Sequence, residues 1–230
     1  MIRPFSRPIA LVTGATSGMG LELAQQLAQH GHDLILVAPD AAPLARVADH
    51  LRGAHREIQV TCVMADLTAT DGVETIYKAL SEMGRALDVL VANPGEDRQG
   101  DGSTETRLQA ALALINRNVT APVHFVQRLI GRMVVHGTGK VLITSSIASS
   151  RLGPHHPVCA ATRAFLRSFG QALRNELQEA GITVTVLIPG PIDALQFAQS
   201  AYAALEDEDR VIPALLSPLQ APGATPSKPE

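Results

Sequence analysis

The chain has 230 residues, 46% of them hydrophobic, with a formal net charge of −3 and a pI near 6.2. That size fits one large α/β domain with a sizeable core, and its scattered basic residues leave no electrostatic footprint for nucleic acid or an anionic membrane. Two cysteines, Cys62 and Cys159, are too few for a disulfide framework; with no leader and no membrane-length apolar run read in the sequence, a soluble, cytoplasmic protein is expected.

Short apolar runs alternate with helical patterns from residue 8 to residue 190. Pro8–Thr13 (PIALVT) reads as a buried strand, followed by a glycine-rich turn and a helix from about Met19 to Gln29. Further strands are predicted at Asp33–Ala38 (DLILVA), Ile58–Ala65 (IQVTCVMA), Leu87–Ala92 (LDVLVA), Lys140–Thr144 (KVLIT) and Ile182–Ile188 (ITVTVLI). Helical patterns fill the gaps, the longest over about Thr104–His136 and Pro157–Ala180. Continuous Val/Ile/Leu runs suit strands covered on both faces, and strand–helix alternation implies right-handed crossovers. The predicted fold is α/β, a three-layer Rossmann-type doubly wound parallel sheet, with its ligand crevice at the carboxyl ends of the strands. Residues 1–216 read as a single domain. Residues 217–230 (SPLQAPGATPSKPE) form a Pro-rich tail of disordered composition.

TGATSGMG follows the first strand directly and places Gly14, Gly18 and Gly20 at the start of a helix. Glycines there permit a tight turn and a close backbone approach to a pyrophosphate, and the helix N-terminus offers free N–H donors. A turn without a ligand would also use glycine, but the position in a βαβ unit favours phosphate binding by Gly14, Thr16, Ser17, Gly18, Met19 and Gly20. Asp66, with Leu67 after the third strand, could accept from an adenine amino group or cap the next helix. Asn93 and Gly95, in ANPG after the fourth strand, let backbone approach the middle of a dinucleotide; Pro189, Gly190 and Ile192, after the sixth, open a loop over its nicotinamide end. Cys62, inside the third strand, is expected in the core, and no metal site is read.

Together these motifs resemble the short-chain dehydrogenase/reductase family, over about residues 8 to 197. TGATSGMG is similar to its TGxxxGxG loop, ADL to its adenine-contacting Asp, ANPG to NNAG, TSSIAS to its catalytic serine region, INRNVTAP to the segment with its active-site asparagine, and PGPIDA to PGxxxT. The resemblance implies an NAD- or NADP-binding oxidoreductase acting on an unidentified small molecule. It implies a serine that polarises a carbonyl (Ser146, with Ser145 adjacent) and an asparagine in a water-linked proton path (Asn118). It also implies a homodimer formed through the long crossover helices.

The pattern breaks at the reacting centre. Thirteen residues beyond Ser146 the family has a tyrosine acid, and four further a lysine; here Cys159 and Arg163 stand in those places. A cysteine sulfur sits one carbon from the backbone, several Å short of a phenol oxygen, and general acid catalysis requires hydrogen-bond reach. Arginine keeps the cation but cannot give up a proton. Ala194 stands where a Thr that fixes the carboxamide is usual. Near the ribose the chain has Pro39 and Asp40 and no basic residue before Arg46, which favours NAD over NADP. Three functions follow: oxidoreductase-like with impaired hydride transfer; a non-catalytic, nucleotide-sensing or dimer-partner pseudoenzyme; or a thiol enzyme. In the last, Cys159 would be activated by a helix N-terminus, Arg163 and His156. Val158, Ala161, Phe165, Phe169 and Leu173 are expected to form the core stripe of their helix.

Overall fold

Six runs of Val, Leu, Ile and Ala become the strands of one parallel sheet, because hydrophobic residues on both faces of a strand must be covered on both faces. The computed structural model describes residues 7–94, 104–144, 157–187 and 194–206. In chain order the elements are β1 (Ile9–Thr13), α1 (Gly18–Gln29), β2 (Asp33–Ala38), α2 (Ala41–Ala54), β3 (Val60–Met64), α3 (Gly72–Met83) and β4 (Val89–Ala92). There follow α4 (Thr104–Ile115), a π-helical turn (Asn116–Thr120), α5 (Ala121–His136), β5 (Gly139–Thr144), α6 (Pro157–Leu177), a 3₁₀ turn (Gln178–Ala180), β6 (Ile182–Leu187) and α7 (Ala194–Glu206). The strand order is β3-β2-β1-β4-β5-β6, every pair parallel. None of the described helices is long and apolar enough to cross a membrane.

Two hydrophobic layers sandwich the sheet. On one face Val73, Ile76, Phe125, Leu129, Met133, Leu166 and Leu173 from α3, α5 and α6 pack on Leu11, Ile35, Leu90 and Val141. On the other, Leu23, Leu27, Leu44, Leu51, Phe197 and Ala201 from α1, α2 and α7 pack on Val12, Leu36, Val91 and Leu142. The predicted doubly wound, three-layer architecture is therefore the observed one.

Three local expectations are corrected. The predicted helix over 104–136 is two helices joined by a π-turn: Pro122 has no N–H to give the carbonyl four residues back, and Ala121 N–H bonds to Asn116 O instead. Cys62 is exposed because β3 is the sheet's edge, although its Sγ lies 3.9 Å from Leu44 O on α2. On α6 the buried face is Cys159, Thr162, Leu166, Gly170, Leu173 and Leu177, while Ala161 and Phe165 point outward. The helix lies so close to the sheet that a Cβ on Gly170 would strike Val186 Cγ2. The inward face mixes small residues with leucines; Phe165 lies outside it, while Phe169, its ring centroid 5.8 Å from that of Phe165, is partly buried against the core. Outside the described residues lie Ser146, Gly95, His156, Pro189, Gly190, Ile192 and the tail.

At the opposite end from the strand carboxyl termini, buried acids pin the strand starts. Asp33 accepts from Gln59 N (2.8 Å) and Arg85 Nη1 (2.6 Å), and Asp88 Oδ2 accepts from Ile9 N (2.7 Å). Nearby, α7 is locked to α1 by Tyr202, stacked on His30 at 3.8 Å between centroids and edge-on to His32. His32 is buried and donates Nδ1–H to Leu27 O (3.2 Å). Burial pushes its pKa below the ordinary value, Glu206 and Asp88 oppose the shift, and His30 adds to it.

Two outcomes follow from this packing. Gly170→Ala should destabilise the protein by roughly 1–3 kcal/mol in urea unfolding, overpacking against Val186 outweighing the gain of about 1 kcal/mol in helix propensity. Because the folded His32 has a depressed pKa, its contribution is complete above an unfolded value of about 6.5 and is lost as pH falls below it. Melting temperature should therefore drop between pH 7.5 and 5, and His32→Gln should flatten that drop.

Candidate functional site

The carboxyl ends of β1, β4 and β5 are tied by one buried polar network. Thr13 Oγ1 accepts from Asn93 N (2.8 Å) and donates to Asn93 O (3.0 Å), with Val91 O at 3.2 Å. Thr144 Oγ1 donates to Asn93 Oδ1 (2.6 Å). All three residues are buried. The Asn93 amide fills the hollow between Gly14 and Gly20: a Cβ on either glycine would come within 2.7 Å of Asn93 Nδ2, and one on Gly20 would strike Gly14 O. Gly14 has φ +61° and Gly18 +53°, the left-handed conformations that side chains resist.

Above this network opens a cleft of about 310 Å³. Among the predicted residues, Gly14, Thr16, Ser17, Asp66, Leu67 and Asn93 line it; Met19 and Gly20 are buried behind its glycine turn, at the start of α1. Ser17 occupies the α1 N-cap without a side-chain bond to the helix, so it does not satisfy the first-turn N–H groups. Those donors and the helix dipole suit an anion such as a pyrophosphate.

Asp66 does not cap a helix. Its Oδ1 accepts from Thr68 N (2.8 Å) and Thr68 Oγ1 (2.7 Å), closing a turn, and α3 starts only at Gly72. Asp66 is exposed at the cleft, where its other oxygen can accept from a ligand. Asp40 is the residue that stands at an N-cap, that of α2, yet its carboxylate makes no capping bond. It lies outside the cleft lining, which ends at Pro39.

The remaining candidates lie on the π-turn and α6. Asn118 is buried, donates Nδ2–H to Thr162 Oγ1 (3.3 Å), and its Oδ1 meets no hydrogen-bond donor among the described residues. Thr162 Oγ1 in turn donates to Cys159 O (3.0 Å), so Asn118, Thr162 and Cys159 form one chain of contacts. Cys159 is 7% exposed. Arg163 is half-buried, and burial lowers its pKa while the neighbouring Cys159 opposes that shift. It remains a cation at neutral pH.

Sequence reasoning missed Thr13 and Thr144, whose hydroxyls need a third residue from a distant strand to acquire a role. It also missed Asn116 and Arg117, hidden inside what read as uninterrupted helix.

Comparison with known proteins agrees with this geometry. A family model described as short chain dehydrogenase matches residues 8–204, and the chain belongs to that family. It is 36% identical over 191 residues to the mouse dehydrogenase/reductase SDR family member 7, covering 81% of this chain and 56% of that protein. It is 32% identical over 189 residues to a putative ketoacyl reductase of Streptomyces coelicolor, covering 80% and 70%. Among solved structures, a short-chain dehydrogenase of Sphingobium yanoikuyae in complex with NADPH superposes with a TM-score of 0.77 at 27% identity, covering 87% of this chain and 85% of that one.

The network itself is testable. Thr144→Val would leave Asn93 Oδ1 buried without a donor and should cost about 1–3 kcal/mol in urea unfolding, whereas Thr144→Ser should stay near wild type.

Proposed function

We propose that this chain is a dinucleotide-binding oxidoreductase-type protein whose carbonyl–alcohol hydride transfer is impaired. The observation that carries this reading is the place of Cys159. It stands where the family has its tyrosine acid, and it is buried on the inward face of α6 with a side chain of one carbon and one sulfur. A proton donor must come within about 3 Å of the substrate oxygen, and a short, packed thiol does not supply that reach.

The other parts of the apparatus are supported. The Gly14–Gly20 turn and the α1 N-terminus suit the pyrophosphate, and Asp66 suits the adenine amino group. Arg163 can donate to ribose hydroxyls in place of lysine, Asn118 offers an acceptor for a water, and Ser146 would polarise the carbonyl. A bound nicotinamide supplies or accepts the hydride. The chain's own residues then bind and orient, while Cys159 offers no acid within reach of the reacting oxygen. Gly95, Pro189, Gly190 and Ile192 complete the predicted contacts with the dinucleotide.

NAD is favoured over NADP, since Asp40 is a carboxylate not engaged in capping and Pro39 precedes it; the NADPH held by the Sphingobium dehydrogenase supports the opposite preference. A homodimer is favoured by the apolar side chains left exposed on the adjacent helices α4 and α6, Leu108, Leu112, Ile115 and Phe165. The same face supports a second reading, a pseudoenzyme that pairs with an active relative. The thiol-enzyme reading requires Cys159 to meet a substrate, and its burial speaks against it.

Calorimetry should show binding of NADH or NADPH, while ketone reduction by the wild type stays near background. Cys159→Tyr combined with Arg163→Lys should raise kcat by ~10²–10⁴-fold, the usual worth of a general acid. Brisk wild-type turnover that is lost in Ser146→Ala would overturn the reading.

A further inference from the structure

The cleft has two walls. One comes from the loops after β2 and β3, with Ala38, Pro39, Asp66 and Leu67; the other comes from the π-turn and the start of α5, with Arg117 and Ala121. Among the described lining residues Asp66 is the one carboxylate and Arg117 the one cation, and no aromatic side chain is present.

The π-turn explains how Arg117 reaches this place. Three consecutive side chains diverge from it. Asn116 Nδ2 donates to Thr68 O (3.1 Å), which stitches the turn to the Asp66–Thr68 loop. Asn118 turns inward to Thr162. Arg117, between them, lines the cleft and is half-buried. Asn116 thus fixes the spacing between the wall that carries Asp66 and the wall that carries Arg117.

We propose that Arg117 is a nucleotide-binding residue whose guanidinium plane lies on the face of the adenine base that offers its amino edge to Asp66. This rests on the dinucleotide reading above. Leu67 and the aliphatic residues of the β2 loop provide a surface for one face of the base. For the other, Arg117 is the planar cation among the described lining residues, and a guanidinium is weakly hydrated and suited to stacking on an aromatic face. A contact with the base, which NAD and NADP share, strengthens both alike.

The test is calorimetric titration of the full chain with ADP-ribose, 2′-phospho-ADP-ribose and NADH, for the wild type, Arg117→Ala and Arg117→Lys, with melting temperatures to verify folding. Stacking predicts that Arg117→Ala weakens all three ligands by a common factor of about 3 to 30. Arg117→Lys, which retains the charge but not the plane, should recover little of it. Equal binding of ADP-ribose by Arg117→Ala and wild type overturns the proposal. So does a loss confined to the 2′-phosphorylated ligand, or full recovery in Arg117→Lys, either of which makes Arg117 a charge reader. Should Arg117→Ala fail to fold, Arg117→Lys alone decides: wild-type affinity overturns stacking, and a loss common to all three ligands upholds it. If the wild type binds none of the three, the dinucleotide reading falls and this inference with it; if only the variants match the wild type, the inference alone falls.

Discussion

The Asn93 amide is the joint on which the cleft depends. Its oxygen accepts from Thr144 and its nitrogen packs against Gly14 and Gly20, while the Asn93 backbone N–H donates to Thr13 and the backbone carbonyl accepts from it. A buried amide is tolerated only when its polar atoms are paired, and a network of this kind holds one geometry because departures leave a group unsatisfied. The glycine turn is shaped from below by that amide and from its own side by left-handed backbone. The sheet, its polar joint and the cleft above it are one construction.

A second constraint sits at the π-turn. Pro122 withholds the N–H that would continue a regular helix, and the extra residue splays Asn116, Arg117 and Asn118 toward a loop, the cleft and α6 respectively. A regular helix separates consecutive side chains by a uniform rotation and cannot serve three such partners as readily. The helix fault is what joins the Asp66 end of the cleft to the region around Cys159.

Stability and binding are placed at opposite ends of the sheet. Asp33, Asp88, Arg85 and the His30–His32–Tyr202 cluster hold the strand starts and the final helix. The strand ends carry the cleft. The packing of α6 links both halves: a close approach to β6 requires small inward residues, which accommodates Cys159, Thr162 and Gly170 and leaves Phe165 outside.

Unbroken apolar runs such as DLILVA can be read as doubly covered strands because burial on both faces leaves no polar alternation, so strand content, their parallel sense and the fold class were legible in the amino-acid order alone. The glycine turn was legible too, since a tight strand–helix junction with left-handed backbone calls for glycine. So was the presence of Cys159 and Arg163 four residues apart, which is a matter of residue identity. Other features required the folded molecule. The exposure of Cys62 depends on β3 lying at the edge; the inward face of α6 depends on how near it lies to β6; and Asp66 turns a loop because α3 starts later than local preference suggested. Thr13, Asn93 and Thr144 are separated by many tens of residues and acquire a shared role only through strand order. Local pattern encodes which surfaces must be buried; which side chains then meet is decided by long-range packing.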